Sequence, residues 1–87
     1  METRVAVMSI IVENSESAET INAILHDYGQ YIIGRMGIPY RAHHLNVISV
    51  AVDATDDTIS ALAGRIGSLP GISAKAAYSN AYTDNEE

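Results

Sequence analysis

The histidines are the residues of this chain that could bind a metal ion most directly. His43 and His44 are adjacent, and His26 lies in a segment with helical periodicity. Neighbouring side chains of an extended segment point to opposite faces, so one chain would offer one imidazole of the pair to a given site. With carboxylates and further ligands from a second chain, these histidines could bind nickel, zinc or copper at a subunit interface. The alternative interpretation is a polar hairpin in which both imidazoles are solvated.

Two corners at which a strand leads into a helix carry residues that could bind an amino acid. They lie at residues 13–15, which read ENS, and at residues 53–55, which read DAT. Backbone N–H groups at the start of a helix attract anions such as a ligand carboxylate. The acidic residue of each corner, Glu13 or Asp53, could hold an ammonium group. Helix capping alone would also explain these residues.

A third group of candidates lies in residues 32–41, which read IIGRMGIPYR. Gly34 and Gly37 match the G-x-x-G pattern of a loop that clamps nucleic acid, but that loop joins two helices, whereas this segment interrupts a strand. Glycines within a strand indicate a bulge or bend, which re-aims nearby side chains. Arg35 could thereby reach an anionic ligand or a carboxylate of a neighbouring subunit. The predicted ligand-binding set is Glu13, Asn14, Ser15, Arg35, Tyr40 and Arg41.

The composition excludes several classes of function. The 87 residues include no cysteine, which excludes thiol catalysis and thiolate metal sites, and no serine has a spaced His–Asp partnership. We therefore expect neither an enzyme nor a cofactor. The formal net charge is −6 and the five basic residues are scattered, which argues against direct nucleic-acid binding. No apolar run reaches the roughly 18–20 residues of a membrane span, and no signal peptide is recognisable, so the expectation is a soluble cytoplasmic protein.

Hydrophobic periodicity predicts the elements that must position these residues. Apolar, β-branched runs at residues 3–12, 45–52 and 72–79 predict strands, and residues 30–41 predict a strand broken by glycine and proline. Two intervening segments place apolar residues at i, i+3, i+4 and i+7, the spacing of one helical face. Thr55 is the predicted cap of the second helix.

The order of these elements predicts the fold. Two similar βαβ halves in the order βαββαβ are typical of an α+β, ferredoxin-like sandwich, with a four-stranded antiparallel sheet and two helices on one face. We expect one such domain at residues 1–80, followed by an acidic, flexible tail at residues 81–87.

The first predicted strand poses a packing problem because both of its faces are apolar. Val5 and Val7 lie on one side, and Met8 and Ile10 lie on the other. Two helices on one face of a sheet leave the other face bare, and a soluble monomer rarely exposes so large an apolar surface. A second copy of the chain would cover it, in a dimer or tetramer. The predicted interface includes Met8, Ile10 and Ile38.

Several motifs carry a resemblance to a known family. Residues 34–41, which read GRMGIPYR, together with the LPGI of residues 69–72 and Lys75, resemble the small proteins called iron-only hydrogenase system regulators. The order of elements also resembles ACT domains and the C-terminal domain of the nickel-responsive regulator. The resemblance covers nearly the whole chain, from Glu2 to about Ser79. The family's label describes an association with hydrogenase maturation genes rather than a biochemical activity.

The resemblance implies a non-enzymatic, ACT-like regulatory or ligand-sensing module that forms dimers or tetramers. ACT domains as a class bind amino acids at subunit interfaces, near the first strand-to-helix corner. They are usually attached to an enzyme or a DNA-binding domain, and neither is expected here, so regulation would act through a partner protein. The metal site of the nickel-responsive regulator uses histidines and a cysteine, and the missing cysteine argues against nickel sensing. Two alternatives remain open: a metal sensor that uses histidines across subunits, and a purely structural partner of a larger regulator.

Overall fold

The computed structural model describes residues 2–84. Its helices and strands follow the predicted order and add a short last strand. They are β1 (Glu2–Val12), α1 (Ser17–Asp27), β2 (Ile32–Tyr40), β3 (Leu45–Ala54), α2 (Asp56–Gly67), β4 (Ile72–Tyr78) and β5 (Thr83–Asp84). Two 3₁₀ turns, at Gly29–Tyr31 and Arg41–His43, flank β2.

The sheet has the strand order β2-β3-β1-β4, and every pair of neighbours is antiparallel. The two central strands, β1 and β3, are adjacent although a helix and β2 separate them along the chain. This arrangement, with α1 and α2 on one face, confirms the predicted ferredoxin-like sandwich. No helix within residues 2–84 is long and apolar enough to cross a membrane.

The core lies between the sheet and one face of each helix. Burial alternates along β1, so that its even-numbered residues from Ala6 to Val12 are buried. From the helices come Ile21, Ile24, Leu25, Ile59, Leu62 and Ile66, all of which are buried. Each large aliphatic side chain that is fully buried in this way contributes about 1.5–3 kcal/mol to the stability of the fold.

The burial of β1 corrects part of the predicted interface. Met8 and Ile10 have 0% exposed surface because they lie beneath the helices. Neither can contact a second copy of the folded chain. The large apolar residues of β1 that face away from the helices are Val5, Val7 and Ile11, which are 39–40% exposed. Ile38 of the predicted set is 50% exposed and therefore remains available.

The two helices begin differently. Thr55 caps α2, since its side chain accepts a hydrogen bond from the backbone N–H of Thr58 at 3.2 Å, as predicted. At the first corner, the Asn14 side chain accepts a hydrogen bond from the backbone N–H of Glu16 at 2.9 Å. This local turn precedes α1, whose N-cap position makes no side-chain capping bond.

The residues after β4 return to the edge of β1. Thr83 and Asp84 of β5 pair with Thr3 and Glu2, although the sequence predicts a flexible tail from residue 81. Residues 85–87 of that predicted tail lie outside the described part of the chain.

Candidate functional site

A cleft lies on the helix side of the sheet, where α1 leaves β2 uncovered. It has a volume of about 290 Å³ and an open mouth. Its wall on β2 is formed by Arg35, Gly37, Ile38 and Pro39. The remaining lining residues come from α1, β1 and β3, and they are Val12, Ala18, Asn22, Asn46 and Ile48. The lining combines apolar residues with three polar side chains, Asn22, Arg35 and Asn46, which could orient a ligand.

A second space, the corner groove, adjoins this cleft at the end of β1. Its volume is about 560 Å³. It is lined by Glu13, Ser15, Pro39, Arg41, His44, Leu45 and Asn46. Pro39 and Asn46 line both spaces, so the cleft and the groove are neighbours with a common wall.

Strand pairing explains how two distant segments meet at this wall. Asn46, near the start of β3, pairs with Val12 of β1 on one side and with Pro39 of β2 on the other. The corner after Val12 therefore lies beside the residues that follow Pro39. This register brings Glu13 and Arg41 into one groove, although 28 positions separate them in the sequence.

The structure divides the predicted ligand-binding set. Glu13, Ser15 and Arg41 line the corner groove, and Arg35 lines the cleft. Asn14 lines neither space, and its Oδ1 accepts a hydrogen bond from the backbone N–H of Glu16.

Tyr40 also lies outside both spaces. Its ring stacks on the imidazole of His43, with centroids 5.2 Å apart and planes 25° apart. In the ladder it pairs with Leu45, which places it on the sheet face that points away from the helices.

The two arginines of the site differ in their partners. Arg35 spans the cleft, and its Nη2 donates a hydrogen bond to Oδ1 of Asn22 on α1 at 2.8 Å. Within residues 2–84, Arg41 has no ion-pair partner, so its guanidinium is available to an anion. The carboxylate of Glu13 lines the same groove and offers the opposite charge. The groove can therefore interact with both ends of a zwitterion.

The three histidines do not form one site within the chain. His43 stacks on Tyr40, His44 lines the corner groove, and His26 lies in the last turn of α1. His44 has a left-handed backbone, with φ 55° and ψ 40°, which turns the chain into β3. No group of three or more potential metal ligands occurs in the described residues.

Residues 4–76 match a family of known proteins, the TM1266-like family, whose description reads "Iron-only hydrogenase system regulator, putative". The chain belongs to the TM1266-like family. The resemblance inferred from residues 34–41 and 69–72 is thereby confirmed. The family description assigns a regulatory role to the chain and names no catalytic activity.

Solved structures similar to this TM1266-like chain include the uncharacterized protein TM1266 from Thermotoga maritima. It is 27% identical, and the match has a TM-score of 0.84 over 87% of this chain and 96% of that one. A formyltetrahydrofolate deformylase from Pseudomonas putida KT2440 is 14% identical, with a TM-score of 0.64 over 88% of this chain and 29% of that one. The match to the deformylase shows a shared fold and nothing more. No curated protein matches the chain significantly.

Sequence reasoning missed two polar residues of this candidate site. Asn22 anchors Arg35 from α1, and Asn46 forms the common wall of the two spaces. Asn46 interrupts the otherwise apolar, helix-facing row of β3, which continues with Ile48 and Val50. A polar residue in such a row can be recognised in the sequence as a candidate site residue, whereas a polar residue on an exposed helix surface, such as Asn22, cannot.

Proposed function

We propose that this chain is a non-enzymatic regulatory domain that acts as a homo-oligomer and senses a small ligand, an amino acid being the best fit. The observation that supports this most is that Arg41, which has no ion-pair partner within residues 2–84, and the carboxylate of Glu13 line one groove beside the cleft. The α-carboxylate of the ligand would pair with Arg41 and its ammonium group with Glu13. Its side chain would enter the cleft beneath Arg35.

The dimensions of the site are consistent with such a ligand. Small-molecule sites have volumes of about 300–1,000 Å³. The corner groove, at about 560 Å³, lies within this range, and the cleft, at about 290 Å³, lies at its lower limit. Both spaces open to solvent in the single chain. Both are therefore accessible to a small ligand without any rearrangement of the chain.

The homo-oligomer is proposed to form through the sheet surface that faces away from the helices, here called the open face. Its large apolar residues are Val5, Val7, Ile11, Met36, Ile38 and Val47, which are 37–60% exposed. Four strands about 4.8 Å apart and about 24 Å long cover roughly 450 Å² in projection. Two such faces bury about 1,000 Å² or more in total, which is where specific interfaces begin.

The charge on the open face favours a second copy of the chain as its occupant. Of the residues that the described strands direct to this face, only Lys75 and Asp53 are charged, and they have opposite signs. Ser9 pairs with Ser49 near the centre of the face. A hydroxyl is both donor and acceptor, so it can hydrogen-bond to the same hydroxyl of another copy. The net charge of −6 therefore imposes little repulsion at this surface.

Regulation would be transmitted to a partner protein of an iron-only hydrogenase system, the system that the family description names. A metal sensor is the second candidate, because His44 and Glu13 share the corner groove and could supply two ligands to an ion. Further ligands would have to come from another subunit.

Thermal-shift screening of the purified protein against amino acids and divalent metal ions tests the proposal. A ligand at 100 times its dissociation constant adds about 2.7 kcal/mol to the free energy of unfolding. Each kcal/mol raises the melting temperature of a domain of this size by roughly 4–8 °C. We expect an amino acid to raise it in the wild type and in the control Arg65→Gln, but not in Arg41→Gln.

The same screen separates the alternatives. A shift produced by a metal ion and lost in His44→Ala would support the metal sensor. If no amino acid and no metal ion shifts the melting temperature, ligand sensing is refuted and a purely structural partner of another regulator is favoured.

A further inference from the structure

Strand β2 presents its two sides to different surfaces. Arg35, Gly37 and Pro39 lie opposite Val50, Ile48 and Asn46 of β3, on the helix side, and all three line the cleft. The alternate residues Met36 and Ile38 lie opposite Ser49 and Val47 and form the β2 margin of the open face, and Ile38 also lines the cleft. A single strand therefore forms one wall of the cleft and one margin of the proposed self-association surface.

Of the four long strands, β2 is the least buried. It lies at the edge of the sheet, and all of its residues except the half-buried Ile32 are exposed. The pairing with β3 shifts register between Ile32 and Gly34, which leaves Ile33 as an extra residue. A Cβ atom added at Gly34 or Gly37 would meet nothing within 4 Å. Few buried contacts place a segment among the least stable parts of a fold.

One side-chain link joins β2 to the helix layer. Within residues 2–84, the hydrogen bond from Arg35 to Asn22 is the only side-chain hydrogen bond between β2 and α1. Both residues line the cleft, so a molecule bound there would contact this link directly. A ligand that bridges β2 and α1 would hold the strand more firmly than this exposed bond does alone.

We infer that β2 couples the cleft to self-association, so that holding the cleft side of the strand strengthens the docking of a second copy on the open face. The inference rests on the proposed function, since it requires both surfaces. Docking must order the side chains of Met36 and Ile38, and that ordering opposes association. If a ligand in the cleft already orders β2, docking requires less additional ordering of these side chains. Ligand binding and docking are then positively coupled without a large change of shape. By thermodynamic linkage, self-association must tighten ligand binding by the same factor.

A cross-link across the cleft tests the coupling without requiring the ligand to be known. The described chain contains no cysteine, so the double variant Asn22→Cys/Arg35→Cys can be joined selectively by a short bifunctional thiol reagent. The matched control is Asp27→Cys/Arg65→Cys, which joins α1 to α2 where an ion pair at 3.9 Å already links them, away from β2. Self-association is measured by sedimentation velocity, and the order of β2 by hydrogen exchange of its amides.

We expect the cross-link across the cleft to tighten self-association by about fivefold or more, the lower range of measured allosteric couplings. Exchange of the β2 amides should slow in the same sample. The control cross-link should leave both quantities unchanged. Gly37→Ala provides a second variant, because it restricts the backbone of β2 without a steric clash and should tighten self-association as well.

Two results would overturn the coupling. One is an unchanged dissociation constant in both the cross-linked protein and Gly37→Ala, and the other is a wild type that stays monomeric, because the coupling would then have no association to act on. Failure of the ligand proposal is distinguishable, since that proposal is tested on the uncross-linked wild type by its melting temperature.

Discussion

Arg4 ties the residues that follow β4 to the start of α2. Its Nε and Nη2 donate hydrogen bonds to the carbonyl oxygen of Ser79, and its Nη1 donates to Oδ1 of Asp56 at 3.2 Å. The guanidinium lies 4.8 Å from the ring centroid of Tyr78 and 4.5 Å from that of Tyr82. Stacking and hydrogen bonding of this kind suit the planar, permanently charged arginine head group.

The Arg4→Ala variant should be less stable than the wild type by about 2 kcal/mol, because it removes the side-chain donor to the Ser79 carbonyl and one of the two donors to the Asp56 carboxylate. The side chain of Arg4 is 16% exposed, so solvent screens it only in part. Urea denaturation followed by circular dichroism measures the change. Arg65→Ala is the control: its partner Asp27 lies 3.9 Å away and both side chains are exposed, so a loss below about 1 kcal/mol is expected. Equal losses in the two variants would contradict the role given to Arg4.

Tyr82 makes this cluster sensitive to alkaline pH. Its hydroxyl donates a hydrogen bond to Oδ2 of Asp56 at 2.9 Å, and this bond, with a smaller effect of burial, raises the pKa of Tyr82 above its usual value. A raised pKa means that folding favours the neutral phenol. The stabilisation is therefore complete below the unfolded pKa of about 10 and is lost as the pH rises through the folded pKa.

The Tyr82→Phe variant should consequently lose less stability than the wild type between about pH 9 and pH 11. Urea midpoints of the two proteins, measured at both pH values, test this difference. If the stabilities of wild type and variant change in parallel with pH, titration of the Tyr82 phenol is not linked to folding.

At the scale of elements, the turn before β4 holds the first strand-to-helix corner in place. Gly71 has a left-handed backbone, with φ 69°, and its carbonyl oxygen accepts a hydrogen bond from the backbone N–H of Glu13 at 2.8 Å. A Cβ atom at this position would lie 2.6 Å from Cβ of Asn14. The turn thus fixes the residue that carries the carboxylate of the corner groove.

Gly71→Ala should therefore destabilise the fold by about 1–3 kcal/mol, through left-handed strain and the clash with Asn14. Gly64→Ala is the matched control with the opposite sign. Gly64 lies inside α2, and a Cβ atom there would meet nothing within 4 Å, so alanine should stabilise the helix by about 0.5–1 kcal/mol. The free energies of unfolding of both variants decide the matter. If both variants are less stable than the wild type, or both more stable, the structural explanation of the two glycines is wrong.

The elements themselves could be predicted from the sequence, because periods of 2 and 3.6 distinguish strands from helices. The sequence could not predict which face of β1 the helices cover, since both of its faces are apolar. Pairing decides it: Met8 lies opposite the buried Val50, whereas Ser9 lies opposite Ser49. The register between strands is a tertiary property, which the periodicity of β1 alone does not contain.

The two segments that form the site could be predicted from the sequence, but their proximity could not, because it also depends on strand register. The corner and the bent strand are each visible in the sequence, but their meeting depends on Asn46, which pairs with both Val12 and Pro39. That double pairing follows from the strand order β2-β3-β1. It places Glu13 and Arg41 in one groove and directs Tyr40 to the other face.

At the scale of the whole molecule, the two faces of the sheet have different degrees of cover. The helices bury the even-numbered residues of β1, whereas Val5, Val7 and Ile11 remain 39–40% exposed. Exposed apolar patches of this size on one continuous surface mark contacts with other molecules. A chain of this length buries a comparatively small share of its surface by folding alone, so the proposed assembly would add to its stability.

A lysine placed on the open face should break self-association while leaving the fold intact. In Val7→Lys the ammonium group would be buried at the interface without a partner, against the apolar open face of the second copy. The dissociation constant for self-association should therefore rise by about tenfold or more, which equals about 1.4 kcal/mol. The matched control is Ala61→Lys, which adds the same charge to an exposed position of α2. Sedimentation velocity over a range of protein concentrations gives the dissociation constants, and thermal melts confirm folding. If Val7→Lys and Ala61→Lys associate equally well, self-association does not use the open face.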